Sequence, residues 1–239
     1  MISLTRVNKY YGENHVVRDL SLEVKNGKTF GFLGQNGAGK TTVMKMIVGI
    51  SVPDSGTITL GGGSSRDIQT RERIGYMPEA PYFYERLTGF EFLTFCGRLF
   101  CARTGDNRET HEDILKKVGM YEARNQIIRT YSKGMKQRLG FAQALVNNPD
   151  YVFLDEPLDG LDPVGRKEIK AMIKTLRAAG KTVFFNSHIL YDTEELCDEI
   201  GIIHRGELLY SGPVRNFTNG RPLEERFVEM IEEINSKNL

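Results

Sequence analysis

Eight consecutive residues carry the first recognisable chemistry: Gly34-Gln35-Asn36-Gly37-Ala38-Gly39-Lys40-Thr41 fits the pattern G-x-x-x-x-G-K-[ST]. Glycines at this spacing permit a tight loop whose backbone N–H groups point at a phosphate. A helix beginning inside the loop adds its positive end. Lys40 can then reach the β- and γ-phosphates, while the hydroxyl of Thr41, with Thr42 behind it, can hold Mg²⁺. A second group lies far along the chain, where the apolar run Tyr151-Val152-Phe153-Leu154 ends on two acids, Asp155 and Glu156. Asp155 suits a magnesium ion held through water, and Glu156 suits a general base polarising an attacking water. An Asp-Glu pair after a strand is often no more than a solvated turn. Beside a phosphate loop the catalytic reading prevails. A water-activating acid points to hydrolysis of a nucleoside triphosphate rather than transfer to a second substrate.

These groups need elements to hold them. The compact apolar run Thr29-Phe30-Gly31-Phe32-Leu33 stops at the glycine-rich loop, and a helix beyond it carries Met44, Met46, Ile47 and Val48. Residues 151–154 read as a strand buried on both faces, delivering its acids at the carboxyl end where open α/β sheets place ligands. Upstream, Ile2, Leu4 and Val7, then Val16, Val17, Leu20, Leu22 and Val24, suggest short antiparallel strands parted by Tyr11-Gly12. A further β segment at 56–60 precedes a flexible turn at 61–65. From about Pro78 aromatics crowd together and helical spacing dominates as far as Val146. A helix at 163–179, an apolar strand at 182–185 and a helix from Tyr191 follow, and one short helix at 223–233 closes the chain.

The expected fold is therefore α/β, with an N-terminal antiparallel β subdomain and an inserted α-helical subdomain. It reads as a single domain: 1–78 and 147–212 form the core, 79–146 the helical insertion and 213–239 a helical tail. With 239 residues, 40% hydrophobic and 26% charged, there is ample apolar material for a packed core. Thirty-two basic against 31 acidic residues leave a net charge of +1, which argues against nucleic acid as a partner. Cys96, Cys101 and Cys197 form no CxxC pair, so neither a disulfide framework nor structural zinc is expected. Met1 to Tyr11 lacks the apolar core of a signal peptide, and no stretch approaches the roughly 20 apolar residues of a membrane span. The expected location is cytoplasmic, with any membrane role reached through a partner.

Tyr131-Ser132-Lys133-Gly134-Met135-Lys136-Gln137-Arg138 resembles the signature motif of ATP-binding-cassette (ABC) ATPases, usually L-S-G-G-Q followed by a basic stretch. Gly160-Leu161-Asp162 after Glu156, and Ser187-His188 after the next strand, fall in the family's order and spacing. The resemblance covers nearly the whole chain. It is closest in style to the nucleotide-binding subunits of exporter-like transporters with separate permeases. RecA-like motors and small-molecule kinases share the phosphate loop but not the signature.

The resemblance implies ATP and Mg²⁺ as ligands, a second ABC subunit docked head to tail, and an integral membrane permease as partner. Ser132 and Gly134 would face the nucleotide held by the other subunit. Asp162 would couple the two sites, and His188 would contact the γ-phosphate and orient the water beside Glu156. Tyr11, just before Gly12, matches the aromatic that stacks on adenine, with Tyr10 as its competitor. The chain departs from the family pattern at Glu79, where glutamine is usual at the lobe junction. A carboxylate there can still ligate Mg²⁺ but adds negative charge beside the phosphates. Lys133 and Met135 replace a signature glycine and glutamine, and Lys133 is expected to face solvent.

The aromatics from Tyr82 to Phe100 read mainly as core of the helical lobe. Tyr82, Phe83 and Tyr84 read as exposed groove material for a partner helix. Two rival readings are a soluble ABC-type ATPase acting on ribosomes or DNA and a non-hydrolysing regulatory cassette. A single cassette without a long coiled coil disfavours the first, and the full set Lys40, Asp155, Glu156 and His188 disfavours the second. Cargo, and homodimer against heterodimer, stay open.

Overall fold

Strand β1 (Ile2–Tyr11) and β2 (Asn14–Val24) form an antiparallel pair whose buried residues do not alternate strictly. The buried step from Leu4 to Val7, and from Val17 to Leu20, is three residues rather than two. Register shifts between Leu4 and Val7 and between Val7 and Lys9, with Arg6 at φ 48° and Asp19 at φ 44°, absorb one extra residue on β1 and one on β2. A left-handed non-glycine residue costs about 1–2 kcal/mol. Returning Val7 and Leu20 to the core offsets this, at about 1.5–3 kcal/mol for each buried side chain.

The computed structural model describes residues 1–101 and 110–237; the part of the helical insertion at 102–109 and the end of the tail lie outside the described residues, as does the Cys101 side chain. After β3 (Thr29–Leu33) and α1 (Lys40–Ile47) come β4 (Ser55–Leu60), β5 (Gly63–Ser64), α2 (Ile68–Arg71) and β6 (Ile74–Met77). Helices α3 (Gly89–Cys101), α4 (His111–Lys117) and α5 (Lys133–Leu145) follow. The chain continues through β7 (Tyr151–Asp155), α6 (Pro163–Ala178), β8 (Thr182–Ser187) and α7 (Leu190–Leu196). It finishes with β9 (Glu199–His204), β10 (Glu207–Pro213), α8 (Val214–Thr218) and α9 (Leu223–Lys237).

The strands make two sheets, one of four in the order β2-β1-β4-β5 and one of six in the order β10-β9-β3-β8-β7-β6. The first is antiparallel. The second is parallel from β9 to β6, with β10 antiparallel at its edge. Helix α1 lies between the sheets, and Val43, Met44, Met46 and Ile47 are all fully buried in the core they share. Apolar contact on several sides explains why so short a helix carries so little polar surface. No helix among the described residues is long and apolar enough to cross a membrane.

Three expectations need correction. The flexible turn at 61–65 is a hairpin: Gly61 and Gly62 have positive φ, and β5 pairs back on β4. The tail holds two helices, not one. Asn219, at φ 47°, ends α8, and α9 runs on to Lys237. Phe83 is buried rather than exposed, packed edge-on against Phe92 with ring centroids 5.2 Å apart, while Tyr82 and Tyr84 remain open to solvent.

Candidate functional site

Four neighbouring parallel strands deliver part of the predicted site at their carboxyl ends. β3 runs into Gly34, β8 ends before His188, β7 ends on Asp155, and β6 leads through Pro78 to Glu79. The register pairs Asp155 with Asn186 and Leu33 with Ser187, so segments far apart in sequence finish level with one another. Carboxyl ends of parallel strands leave room for a ligand there, because the chain turns away into helices on either face.

The loop from Gly34 to Gly39 is shaped by lack of space and by backbone sign. A Cβ at Gly34 would collide with the Ile203 carbonyl and lie 3.2 Å from the Ala38 Cβ. Gly39 caps α1 at φ 110°, a conformation that side chains disfavour. Asn36 and Gly37 are exposed at the tip, Ala38 is buried beneath, and Thr41 and Thr42 stand half-buried on the first turn.

Lys40 is buried, at 7% exposure. Its Nζ donates to the carbonyls of Gly34 at 2.7 Å and Gln35 at 3.3 Å. Among the described residues no carboxylate comes within ion-pairing distance of it. Burial lowers its pKa, and the more distant charges of Glu156, Asp155 and Glu79 offset part of that. A buried cation without a contact ion pair fits an incoming phosphate.

Thr41 Oγ1 lies 3.4 Å from Asp155 Oδ1, joining the loop to the acidic strand. Asp155 is itself buried, and Asn186 Nδ2 donates to the same oxygen at 2.8 Å. Glu156 follows at φ 48°, with His188 Nδ1 2.8 Å from one of its carboxylate oxygens and the His188 backbone N–H 3.3 Å from it. Nearby Tyr76 is pushed up to about 12, first by burial and then by the charges of Asp155 and Glu79. Hard oxygen donors at Thr41 and Asp155 suit Mg²⁺. Among the described residues no group of three or more His, Cys, Asp or Glu side chains could hold a metal ion. A cation here would therefore complete its shell from phosphate oxygens and water.

Other predicted residues stand apart. The Ser132 hydroxyl accepts from the Met135 N–H at 3.2 Å and caps α5, and Gly134 faces Leu161. Asp162 caps α6, accepting from the Gly165 N–H at 2.7 Å. Lys133 does face solvent, with its Nζ 3.8 Å from Asp159. Among the described residues, no hydrogen bond or ion pair joins Ser132, Gly134 or Asp162 to Lys40, Thr41, Asp155, Glu156 or His188. Glu79 is exposed and acts on Lys40 and Tyr76 only through its charge. Of the two candidate stacking residues, Tyr10 is covered on one face by His15, with centroids 4.0 Å apart, while Tyr11 is exposed beside the Lys9 ammonium.

Asn186 was not among the expected site residues. The signal was present, since a lone amide interrupts the apolar run Thr182-Val183-Phe184-Phe185 just before Ser187-His188. It is fully buried, and its Oδ1 has no hydrogen-bond partner. An orphaned buried carbonyl at a polar site is a costly feature that points to an absent donor.

A fold of two sheets enclosing a phosphate-loop helix, with this edge of acids and histidine, defines the class of nucleotide-binding cassettes. The ABC transporter family model matches residues 17–159, and the chain belongs to that family. It is 48% identical to an uncharacterized ABC transporter ATP-binding protein of Synechocystis, over 82% of this chain and 56% of that protein. The chain thus spans under two thirds of that relative's length, and 59% of that of a Nostoc relative. It is 40% identical to the bacitracin transport ATP-binding protein of Enterococcus faecalis, over 87% of this chain and 68% of the other. A solved ATP-binding subunit of an ABC transporter matches at TM-score 0.87 and 27% identity, covering 97% of this chain and 99% of that one.

Proposed function

We propose that this chain binds and hydrolyses ATP with Mg²⁺ as the motor subunit of a membrane transporter, working in the cytoplasm against the permease. The observation that carries this reading is the single sheet edge where Lys40, the Thr41–Asp155 contact and the Glu156–His188 pair meet. The loop N–H groups and Lys40 bind the phosphates; Thr41 and Asp155, with Glu79 near, hold the ion. Bound Mg²⁺ supplies charge neutralisation at the phosphates. Glu156 takes a proton from the attacking water, and His188 keeps that carboxylate aimed. Tyr11 stacks on the base.

Among the described residues Ser132, Gly134 and Asp162 make no hydrogen bond or ion pair with the chain's own phosphate-binding residues, which supports a head-to-tail dimer in which they serve the other subunit's site. For the permease, a cleft of about 350 Å³ between the end of α1 and α3 leaves Ile50 and Leu99 largely exposed. Tyr84 packs against Phe95 beside it, 5.5 Å between centroids, and an apolar groove of this kind suits a partner helix. Export as the direction of transport rests on the likeness to the bacitracin transport protein.

The test is Glu156→Gln with Mg-ATP, followed by light scattering and phosphate release. A nucleotide-held dimer with turnover reduced by about 10²–10⁴-fold is expected. A monomer that hydrolyses ATP at the parent rate would overturn the reading. Affinity capture from solubilised membranes should bring down a multi-span protein, and ribosomal or DNA-bound partners alone would overturn the transport assignment.

A further inference from the structure

A second cleft lies between the ends of α4, α5 and α6, with a volume of about 480 Å³, within the range of small-molecule sites. None of Lys40, Thr41, Asp155, Glu156 or His188 lines it. Its wall is apolar: Phe141 is fully buried there, whereas Leu145, Met172 and Leu176 are only partly covered by the surrounding core. Side chains of this kind gain by being removed from water.

The mouth is cationic. Lys116, Lys117, Arg138 and Lys181 line it against one carboxylate, Glu168. Arg138 pairs with Glu168, and Lys116 with Asp113 at 3.2 Å. Among the described residues the Lys181 ammonium donates only to Asn148, to its side-chain oxygen at 2.9 Å and its carbonyl at 3.4 Å. Among the described residues no carboxylate lies within ion-pairing distance of Lys181. The three helices that end here each present roughly half a negative charge. That partial charge accounts for some of the lysines but supplies no ionised partner for Lys181.

We propose that this cleft binds an amphipathic organic anion, its apolar body against Met172 and Leu176 and its carboxylate or sulfonate at Lys181. The same α5 and α6 carry Ser132 and Asp162 at their other ends, so an occupant braces the two helices that bear those residues.

Met172 gives a local readout. The full chain, labelled with ¹³C-methyl methionine, is titrated with decanoate, decyltrimethylammonium serving as the charge-reversed control. A saturable shift of the Met172 methyl is expected, with decanoate binding at least about tenfold tighter than the cation. Lys181→Glu should weaken decanoate by about tenfold or more, and Ala171→Phe, which fills the cleft from α6, should abolish the shift. Both variants should keep the parent's affinity for ATP, which reports that they are folded. No saturable shift, equal binding of the two amphiphiles, or unchanged decanoate affinity in both folded variants would overturn the proposal.

Discussion

The Nδ1 atom of His188 and a carboxylate oxygen of Glu156 stand 2.8 Å apart, and the His188 backbone N–H reaches the same oxygen from 3.3 Å. The Glu156 N–H in turn donates to the Asn186 carbonyl at 3.2 Å, so the end of β8 grips Glu156 at backbone and side chain alike. A carboxylate that accepts from the imidazole needs the ring proton on Nδ1, and Nε2 is then the ring atom turned to a ligand. Holding Glu156 at φ 48° costs about 1–3 kcal/mol, a strain this three-point grip sustains.

His188→Ala releases the Glu156 carboxylate while leaving the phosphate loop intact. Turnover should fall by about 10²-fold or more, while ATP binding through the phosphate loop is retained. Steady-state phosphate release beside a fluorescent-nucleotide titration checks both halves. A normal kcat would show that the histidine does not orient the base.

Asn186→Ala removes the donor that fixes the Asp155 carboxylate. Groups that orient a metal ligand typically contribute 10–100-fold to metal affinity, and the Mn²⁺ midpoint measured by EPR with ADP should rise by about that factor. Stability should also drop, by about 1–3 kcal/mol, because a buried carboxylate loses a hydrogen bond. An unchanged Mn²⁺ midpoint would reduce Asn186 to a packing role.

Lys40 makes nucleotide binding sensitive to alkaline pH. Burial lowers its pKa in the free protein, and a phosphate at Nζ favours the charged form, so the bound-state pKa lies above the free-state one. Affinity is full below the free-state pKa and declines as pH rises through it towards the bound-state value. Within that window binding takes up protons. Calorimetry in alkaline buffers of different ionisation enthalpy should detect the uptake, and Lys40→Ala should abolish it together with most of the affinity.

Phe83→Ser and Tyr82→Ser should separate folding from partner binding. Phe83 sits in the core of the helical lobe, and losing a buried phenylalanine costs about 3–5 kcal/mol, visible as a lower Tm. Tyr82 is 89% exposed, so its replacement should leave Tm unchanged while weakening capture of the membrane partner. Equal losses of Tm in both would contradict the burial seen for Phe83.

Much of this was legible along the chain because it depends on near neighbours. The glycine spacing before Lys40 marks a loop whatever surrounds it, and the unbroken apolar run before Asp155 marks a strand covered on both faces. Sequence alone reads Phe83 as exposed because a run of aromatics does not say which of them points inward. Tyr82, Phe83 and Tyr84 are chemically alike, and only the packing of the lobe's core, with Phe92 edge-on to Phe83, decides that the middle one is buried. The β4–β5 hairpin escaped notice because two residues are too short to show a period.

The types of residue able to bind phosphate, hold a cation and activate water, and the elements carrying them, follow from composition and local pattern. Their meeting does not. Thr41 reaches Asp155, and Asn186 reaches the same oxygen, only because β3, β8 and β7 lie side by side with their ends in register. That register is set by hydrogen bonds between distant strands and by the side chains packed on both faces of the sheet. No run of neighbouring residues encodes it, so Asn186 looked like an interruption in a strand until the fold set it against Asp155.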